Sequence, residues 1–319
     1  AWKDAALQAR VHEIFDSFEA DWCAKNLEGM QSYLTKDYFG HMQLVITAMR
    51  NLGRTNKMEN TKLISANIVN VDDRANNQED SFTVAVIAKA NDLLIDDASG
   101  KTLSEDSNMF TEYWHFYRQD SHWLLGGISQ STEDASMLSP KLQDFASSNG
   151  FYYSPDWGWL LLPQRGQLFN SATFTNSDIN NHVIGLYRDI LVEFYDYIPN
   201  KNVGGGYTIA QASLPKTYGD IVVRRSKSKV FGGKIKGLTK VETEWPEFNK
   251  KYEVFASDIE RVTSFELLNP LYMEKLEGLS YEVSIEVVDN VGYLFTNDNQ
   301  ASFDDMLAVL KSAFDEMKL

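Results

Sequence analysis

Apolar residues recur at Leu7, Val11, Ile14, Phe15, Phe18 and Trp22. Steps of three and four put all of them on one stripe of a helix. A short second helix is expected around Leu27 to Leu34. A third opens at Thr35, which suits an N-cap, with Asp37 in the first turn where a carboxylate complements the helix dipole. Its stripe runs through Phe39, Met42, Val45, Ile46, Met49 and Leu52, and Gly53 suits its end. Beyond Gly53 the period falls to two. Thr61 to Val71 is rich in β-branched residues, and Phe82, Val84, Val86, Ala88 and Ala90 alternate with smaller or polar ones. Glu112, Trp114, Phe116 and Arg118 alternate with Tyr113, His115 and Tyr117, and Trp123 to Ile128 forms a last strand. Polar turns at 72–80, 96–101 and 119–121 separate these runs, so an antiparallel meander is predicted.

From Ser131 to Gly150 the pattern weakens to a linker with one short helix, N-capped by Ser139 with Pro140 at its first position and Gly150 after its end. A second domain begins near Phe151. Its strands are expected within the aromatic stretch 184–198, then over 207–212 and 220–225, with a sharp turn or loop tip at Gly204 to Gly206. Asp258 to Leu268 and Pro270 to Gly278 read as helices broken at Asn269-Pro270. Tyr281, Val283, Ile285 and Val287 alternate, and Asp289-Asn290 turns the chain into Val291 to Thr296 as a hairpin. Phe303, Met306, Leu307, Leu310 and Phe314 form a final amphipathic helix.

Helices followed by a run of strands indicate an α+β fold in the first half, and the second half mixes strands with three helices in its C-terminal third. Four stretches carry a resemblance: Phe18 to Trp22 with Leu27, Phe82 to Asp92, Glu112-Tyr-Trp-His-Phe-Tyr-Arg118, and Trp123-Leu-Leu with Ile128. Through them residues 3–130 resemble the C-terminal domain of the mitochondrial inner-membrane translocase subunit 44 family and its bacterial relatives. The resemblance implies a cystatin-like, nuclear-transport-factor-2-like cone in residues 1–130, with helices on a curved antiparallel sheet. It also implies a peripheral membrane module that contacts anionic lipid and partner proteins, without catalysis. Residues 151–319, a second mixed α+β domain, resemble more faintly an uncharacterised bacterial domain of membrane-associated proteins. That resemblance rests on Asn181-His-Val-Ile-Gly185, Phe255-Ala-Ser-Asp258 and Leu268-Asn-Pro-Leu-Tyr-Met273.

Charge sharpens this picture. The 319 residues carry a net charge of −15, which makes nucleic acid a poor partner. Lys216 to Lys240 runs the other way, with eight basic residues against Asp220. That segment is net +7, so the remainder carries −22. Arg224, Arg225, Lys227 and Lys229 are therefore the candidates for contact with an anionic surface, at about 1 kcal/mol per basic residue. An acidic partner protein, internal pairing with the acidic remainder, or a solvated edge that resists strand aggregation would use the same charges. No apolar run approaches the roughly 20 residues of a membrane helix, so an anchor, if there is one, is expected upstream of Ala1.

Catalytic signals are weak. Cys23 stands alone, so no internal disulfide forms. The five histidines, His12, His41, His115, His122 and His182, show no metal spacing, and no nucleophile elbow, phosphate loop or dinucleotide fingerprint occurs. Gly232-Gly233-Lys234 reads as a turn, and the acidic stretch around Asp72 and Asp80 as a solvated hairpin loop. No cofactor or metal is expected. If the Glu112 face lines the cone, Trp22, Glu112, Trp114, Phe116, Arg118 and Trp123 are candidates for a ligand or lipid pocket with aromatic walls. Two alternatives use the same residues. An isomerase or dehydratase would take Glu112 or His115 as general base, and an interaction domain would have a filled cone.

Overall fold

The computed structural model describes residues 4–130, 138–155, 158–161, 165–169, 179–197, 206–228, 231, 234–257, 268–298 and 300–316. Residues 258–267 of the expected helix, Gly204 and Gly205, Gly232 and Gly233, Lys229 and residues 131–137 of the expected linker lie outside them. The chain divides into two compact units, Ala1–Leu138 and Ser139–Leu319.

In the first unit, α1 spans Ala5–Ala24, and Asp4 caps it by accepting from the Ala6 and Leu7 amides. Its buried residues are the six of the apolar stripe, Leu7 to Trp22. The short α2 (Leu27–Met30) leads into α3 (Lys36–Leu52), capped by the Thr35 side chain. Gly53 ends α3 at φ 63°, a left-handed conformation that glycine adopts without steric cost. Five strands follow: β1 (Arg54–Asp72), β2 (Ser81–Asp96), β3 (Thr102–Asp106), β4 (Met109–Gln119) and β5 (His122–Gln130). Their order is β1-β2-β4-β5, with β3 paired to β2, and every pairing is antiparallel.

The register sets which residues face α1. Glu112 pairs with Val86, Trp114 with Val84 and Phe116 with Phe82. The three β2 partners are buried, so all six side chains share the inner face. Three register shifts interrupt β1, at Glu59/Lys62, Leu63/Ser65 and Ile68/Asn70. Extra residues of this kind bend a strand and increase its twist, which curves a 19-residue strand that would otherwise run flat.

The second unit opens with α4 (Pro140–Asn149), whose Leu142, Phe145 and Ala146 enter its hydrophobic core. Among the described residues nine strands make its sheet: β6 (Tyr152–Ser154), β7 (Ile179–Tyr187), β8 (Ile190–Tyr197), β9 (Tyr207–Ser213), β10 (Ile221–Arg225), β11 (Thr239–Val241), β12 (Tyr252–Ala256), β13 (Ser284–Val288) and β14 (Val291–Thr296). They lie in the order β11-β12-β10-β13-β14-β9-β8-β7-β6. The described helices after α4 are α5 (Gly158–Leu161), α6 (Gly166–Phe169), α7 (Pro246–Lys251), α8 (Pro270–Gly278) and α9 (Phe303–Glu316). Val183, Val192, Phe194 and Leu294 pack with residues of α4, α8 and α9 on one face. Tyr195, Tyr197, Tyr293 and Phe295 pack with Leu168 and Phe169 of α6 on the other. Burial on both faces explains why β8 reads as an almost unbroken apolar and aromatic run rather than a clean alternation.

Candidate functional site

Inside the first unit, aromatic side chains fill the space between α1 and the sheet. Trp114 and Phe116 are 0% exposed. Trp114 packs against Phe15 at 5.4 Å and Phe18 at 5.6 Å, and Phe116 stacks on Phe82 at 4.8 Å between ring centres. Trp22 is likewise buried, and its Nε1–H donates to Asn56 Oδ1 at 2.7 Å. The expected interior pocket is thus occupied by the side chains expected to wall it.

Three carboxyl groups enter this interior. Glu112 accepts from Trp114 Nε1–H at 2.9 Å and Gln130 Nε2–H at 3.0 Å. Burial pushes its carboxyl up from the ordinary range, partly offset by those two donors. Asp92 accepts from Asn56 and is also raised by burial. Glu19, beside Phe18 on α1, is pushed up to about 8, first by burial and then by the negative charges of Glu112, Asp92 and Asp16. Its Oε2 is buried without a hydrogen-bond partner, as is the Tyr38 hydroxyl. Tyr38 is raised well above its usual value by burial and by Glu112.

Arg118 and Trp123 lie at the edge of this interior, where Trp123 meets Phe82 edge-on at 4.8 Å between ring centres. Arg118 bonds Asp80 at 3.3 Å, and its guanidinium sits 5.9 Å from the Trp123 ring centre. Both residues line a cleft of about 390 Å³ with Leu7, Phe82, Asp72 and Asp73. The candidate residues therefore separate into a filled core (Trp22, Glu112, Trp114, Phe116) and a solvent-facing cleft (Arg118, Trp123). His115 belongs to neither. It points to the opposite face of β4, between Thr83 Oγ1 at 3.1 Å and Ser129 Oγ at 2.6 Å. The two residues considered as general bases are thus on opposite sides of one strand.

The basic segment also separates. Arg224 is 3% exposed, bonds Glu253 at 3.2 Å and lies 4.9 Å over the Phe255 ring. Burial on both faces of β10 removes it from any surface, which corrects its placement among surface-contact residues. Lys240 takes the other Glu253 oxygen at 3.0 Å, and the Glu253 carboxyl is held below its ordinary value by Lys240 and Arg224. Arg225 is half-buried over Tyr252. Lys227, Lys234 and Lys236 are exposed, and none has an ion-pair partner among the described residues. Lys229 lies outside the described residues.

A further buried polar cluster occupies the α6 side of the second sheet. Glu193 accepts from His182 Nε2–H at 2.9 Å and Gln211 Nε2–H at 3.0 Å, and Tyr195 donates to Gln211 at 2.7 Å. Nearby in the fold, Glu286 accepts from the Leu168 amide at 3.0 Å and from that of Gln167, and burial pushes its carboxyl up to about 7. The sequence leaves His182 as an isolated histidine. Its partner Glu193 is 11 residues away, across the β7–β8 hairpin, and only the strand register joins them. No group of three or more His, Cys, Asp or Glu side chains among the described residues is placed to hold a metal ion.

Comparison with known proteins bears on the first unit directly. Residues 4–130 match the family profile of the Tim44-like domain. The first unit is a Tim44-like domain. Residues 203–319 match a second profile, described as a protein of unknown function (DUF3137). The Tim44-like domain is α+β, as the resemblance implied, with helices set on an antiparallel sheet. Among solved structures, the chain is similar to the mycobacterial trehalose monomycolate transport factor A, TtfA, at 15% identity and a TM-score of 0.40, covering 56% of this chain and 93% of that one. It is also similar to the intermembrane space region of the chloroplast protein ARC6, at 13% identity and a TM-score of 0.32, covering 41% and 98%. At TM-scores below 0.5 neither likeness bears on function. No curated protein matches the sequence. No helix among the described residues is long and apolar enough to cross a membrane.

Proposed function

We propose that this chain is a non-catalytic binding module that works at a membrane, where exposed lysines of the second unit meet anionic headgroups. The carrying observation is the division of the basic segment. Arg224 and Lys240 share Glu253 as their ion-pair partner, whereas Lys227, Lys234 and Lys236 stand exposed without an ion-pair partner among the described residues. An unpaired cation on a −15 chain orients the molecule toward a negative surface without first breaking an internal bond. The Tim44-like domain supports the membrane side of this reading, since its family works with membranes and partner proteins. The locked Glu112 and the outward His115 support binding over acid–base chemistry.

Cosedimentation with phosphatidylglycerol vesicles tests it. At about 1 kcal/mol per lysine, the double charge reversal Lys234→Glu/Lys236→Glu should weaken partitioning by at least about 30-fold. The wild type should release steeply as salt rises. Equal binding by both proteins, or binding by neither, removes the lipid contact.

One observation favours protein docking at the first unit as well. Asp4, Asp72 and Asp73 surround the 390 Å³ cleft beside Trp123 and Phe82, an arrangement suited to a basic side chain of a partner.

A further inference from the structure

The second unit carries another cleft, of about 480 Å³, lined by Tyr207, Lys227, Glu282, Ser284, Phe295 and Asn297 among others. Its floor is the shared end of three neighbouring strands. Phe295 of β14 pairs with Ser284 of β13 and with Ile209 of β9. Tyr207 meets Phe295 edge-on, with ring centres 5.8 Å apart at 83°. Lys227 comes from the turn after β10, whose Ser226 amide bonds the Lys251 carbonyl at 2.8 Å and whose Ser228 amide bonds that of Arg225 at 2.9 Å. The lysine is thus delivered by a fixed turn.

Thr296 at the rim of this cleft is hydrogen-bonded within the protein, but three other polar side chains are not. Ser284 is 6% exposed, yet its hydroxyl makes no hydrogen bond to the protein. That hydroxyl is open to the cleft and so is available to whatever fills it. Lys227 and Glu282 carry opposite charges and line the same cleft, but they pair neither with each other nor with another described residue. A purely anionic ligand would meet Lys227 and be opposed by Glu282, and a cation would meet the reverse. A ligand bearing both signs satisfies both. The Tyr207 ring adds a face on which an ammonium group rests favourably. The volume would hold about 16 waters at ~30 Å³ each, within the size of ordinary small-molecule sites.

We propose that this cleft binds a zwitterion in which a phosphate is joined by a short linker to an ammonium group, as in O-phosphoethanolamine and the headgroup of phosphatidylethanolamine. Lys227 and the Ser284 hydroxyl take the phosphate, and Glu282 takes the ammonium. Lys227 is shared with the surface contact proposed above, but Lys234 and Lys236 lie outside the cleft and Glu282 is not part of that contact, so Lys234→Glu/Lys236→Glu tests the surface and Glu282→Ala tests the cleft.

Calorimetric titration of the full chain tests it, with O-phosphoethanolamine, inorganic phosphate and ethanolamine as separate ligands. The zwitterion should bind about tenfold or more tighter than either half. Lys227→Ala and Glu282→Ala should each weaken it about tenfold, and Glu282→Ala should bring it level with inorganic phosphate. Both side chains sit at the surface of the cleft, so neither substitution threatens the fold. Vesicles containing phosphatidylethanolamine should displace the bound zwitterion if the natural source is a lipid headgroup, and leave it bound if the source is a free molecule. The proposal is overturned if the zwitterion does not bind, if either half binds as tightly, or if Glu282→Ala leaves affinity unchanged.

Discussion

Glu19→Gln should make the first unit more stable at neutral and alkaline pH and flatten its dependence on pH. The folded carboxyl titrates near 8, against an ordinary value of 4.5. Below about pH 4.5 both folded and unfolded states hold the proton, and the group contributes no difference. Between 4.5 and 8 the unfolded chain ionises while the folded one stays neutral, so stability falls as pH rises, and the loss levels off above 8. The full 3.5-unit interval corresponds to about 5 kcal/mol at 1.36 kcal/mol per unit. Glu19 keeps part of its surface in solvent, which reduces this to roughly 2–4 kcal/mol. Glutamine keeps the shape and the neutral state but has no proton to lose. Hydrogen exchange at the α1 and β4 amides, across pH 5 to 8.5, reads the local stability of this unit. Parent and variant should agree near pH 5 and diverge by the stated amount near pH 8. A residual slope is expected in the variant, because burial raises Asp92 and Glu112 in the same direction. Parallel profiles for the two proteins would show that the interior does not hold Glu19 neutral.

That acid had a signal in the sequence. Glu19 falls four residues after Phe15 and three before Trp22, on the border of the buried stripe, where a carboxylate is out of place. Stripes and alternations made the first unit legible because each is a local property of one element. The buried set of α1 and the cap at Thr35 follow from spacing alone. β3 did not, because Thr102–Asp106 has no buried residue and so shows no alternation. Pairings between distant segments were equally hidden. Arg224 stands in a basic run and looks exposed until β10 is set beside β12, which brings Glu253 opposite it from 29 residues away. The unpaired Ser284 hydroxyl is also invisible in sequence, since it depends on three strand ends meeting beneath one turn. Sequence patterns reported the cores, while the groups with free chemical capacity were fixed by register.

Glu193→Ala should be the most damaging single change in the second unit. Glu193 is 2% exposed and accepts from two buried donors, His182 at 0% and Gln211 at 1% exposure. Removing the carboxylate orphans both N–H groups in a site closed to water. Each orphaned donor costs roughly 1–3 kcal/mol, so two cost about 2–6 kcal/mol together. A loss of about 2–6 kcal/mol is therefore expected, read as a shift of the denaturation midpoint with exchange measured at the β7, β8 and β9 amides. Glu193→Gln should cost less, because it retains an oxygen for one of the two donors. The decisive comparison is the triple change His182→Leu/Glu193→Leu/Gln211→Leu. If the penalty arises from orphaned polar groups, removing these three should cost less than Glu193→Ala alone, despite altering more of the core, since only the Tyr195 hydroxyl then loses its bond to Gln211. Costs that simply add across the three positions would mean that packing, and not the hydrogen-bonded network, holds this face of the sheet to α6.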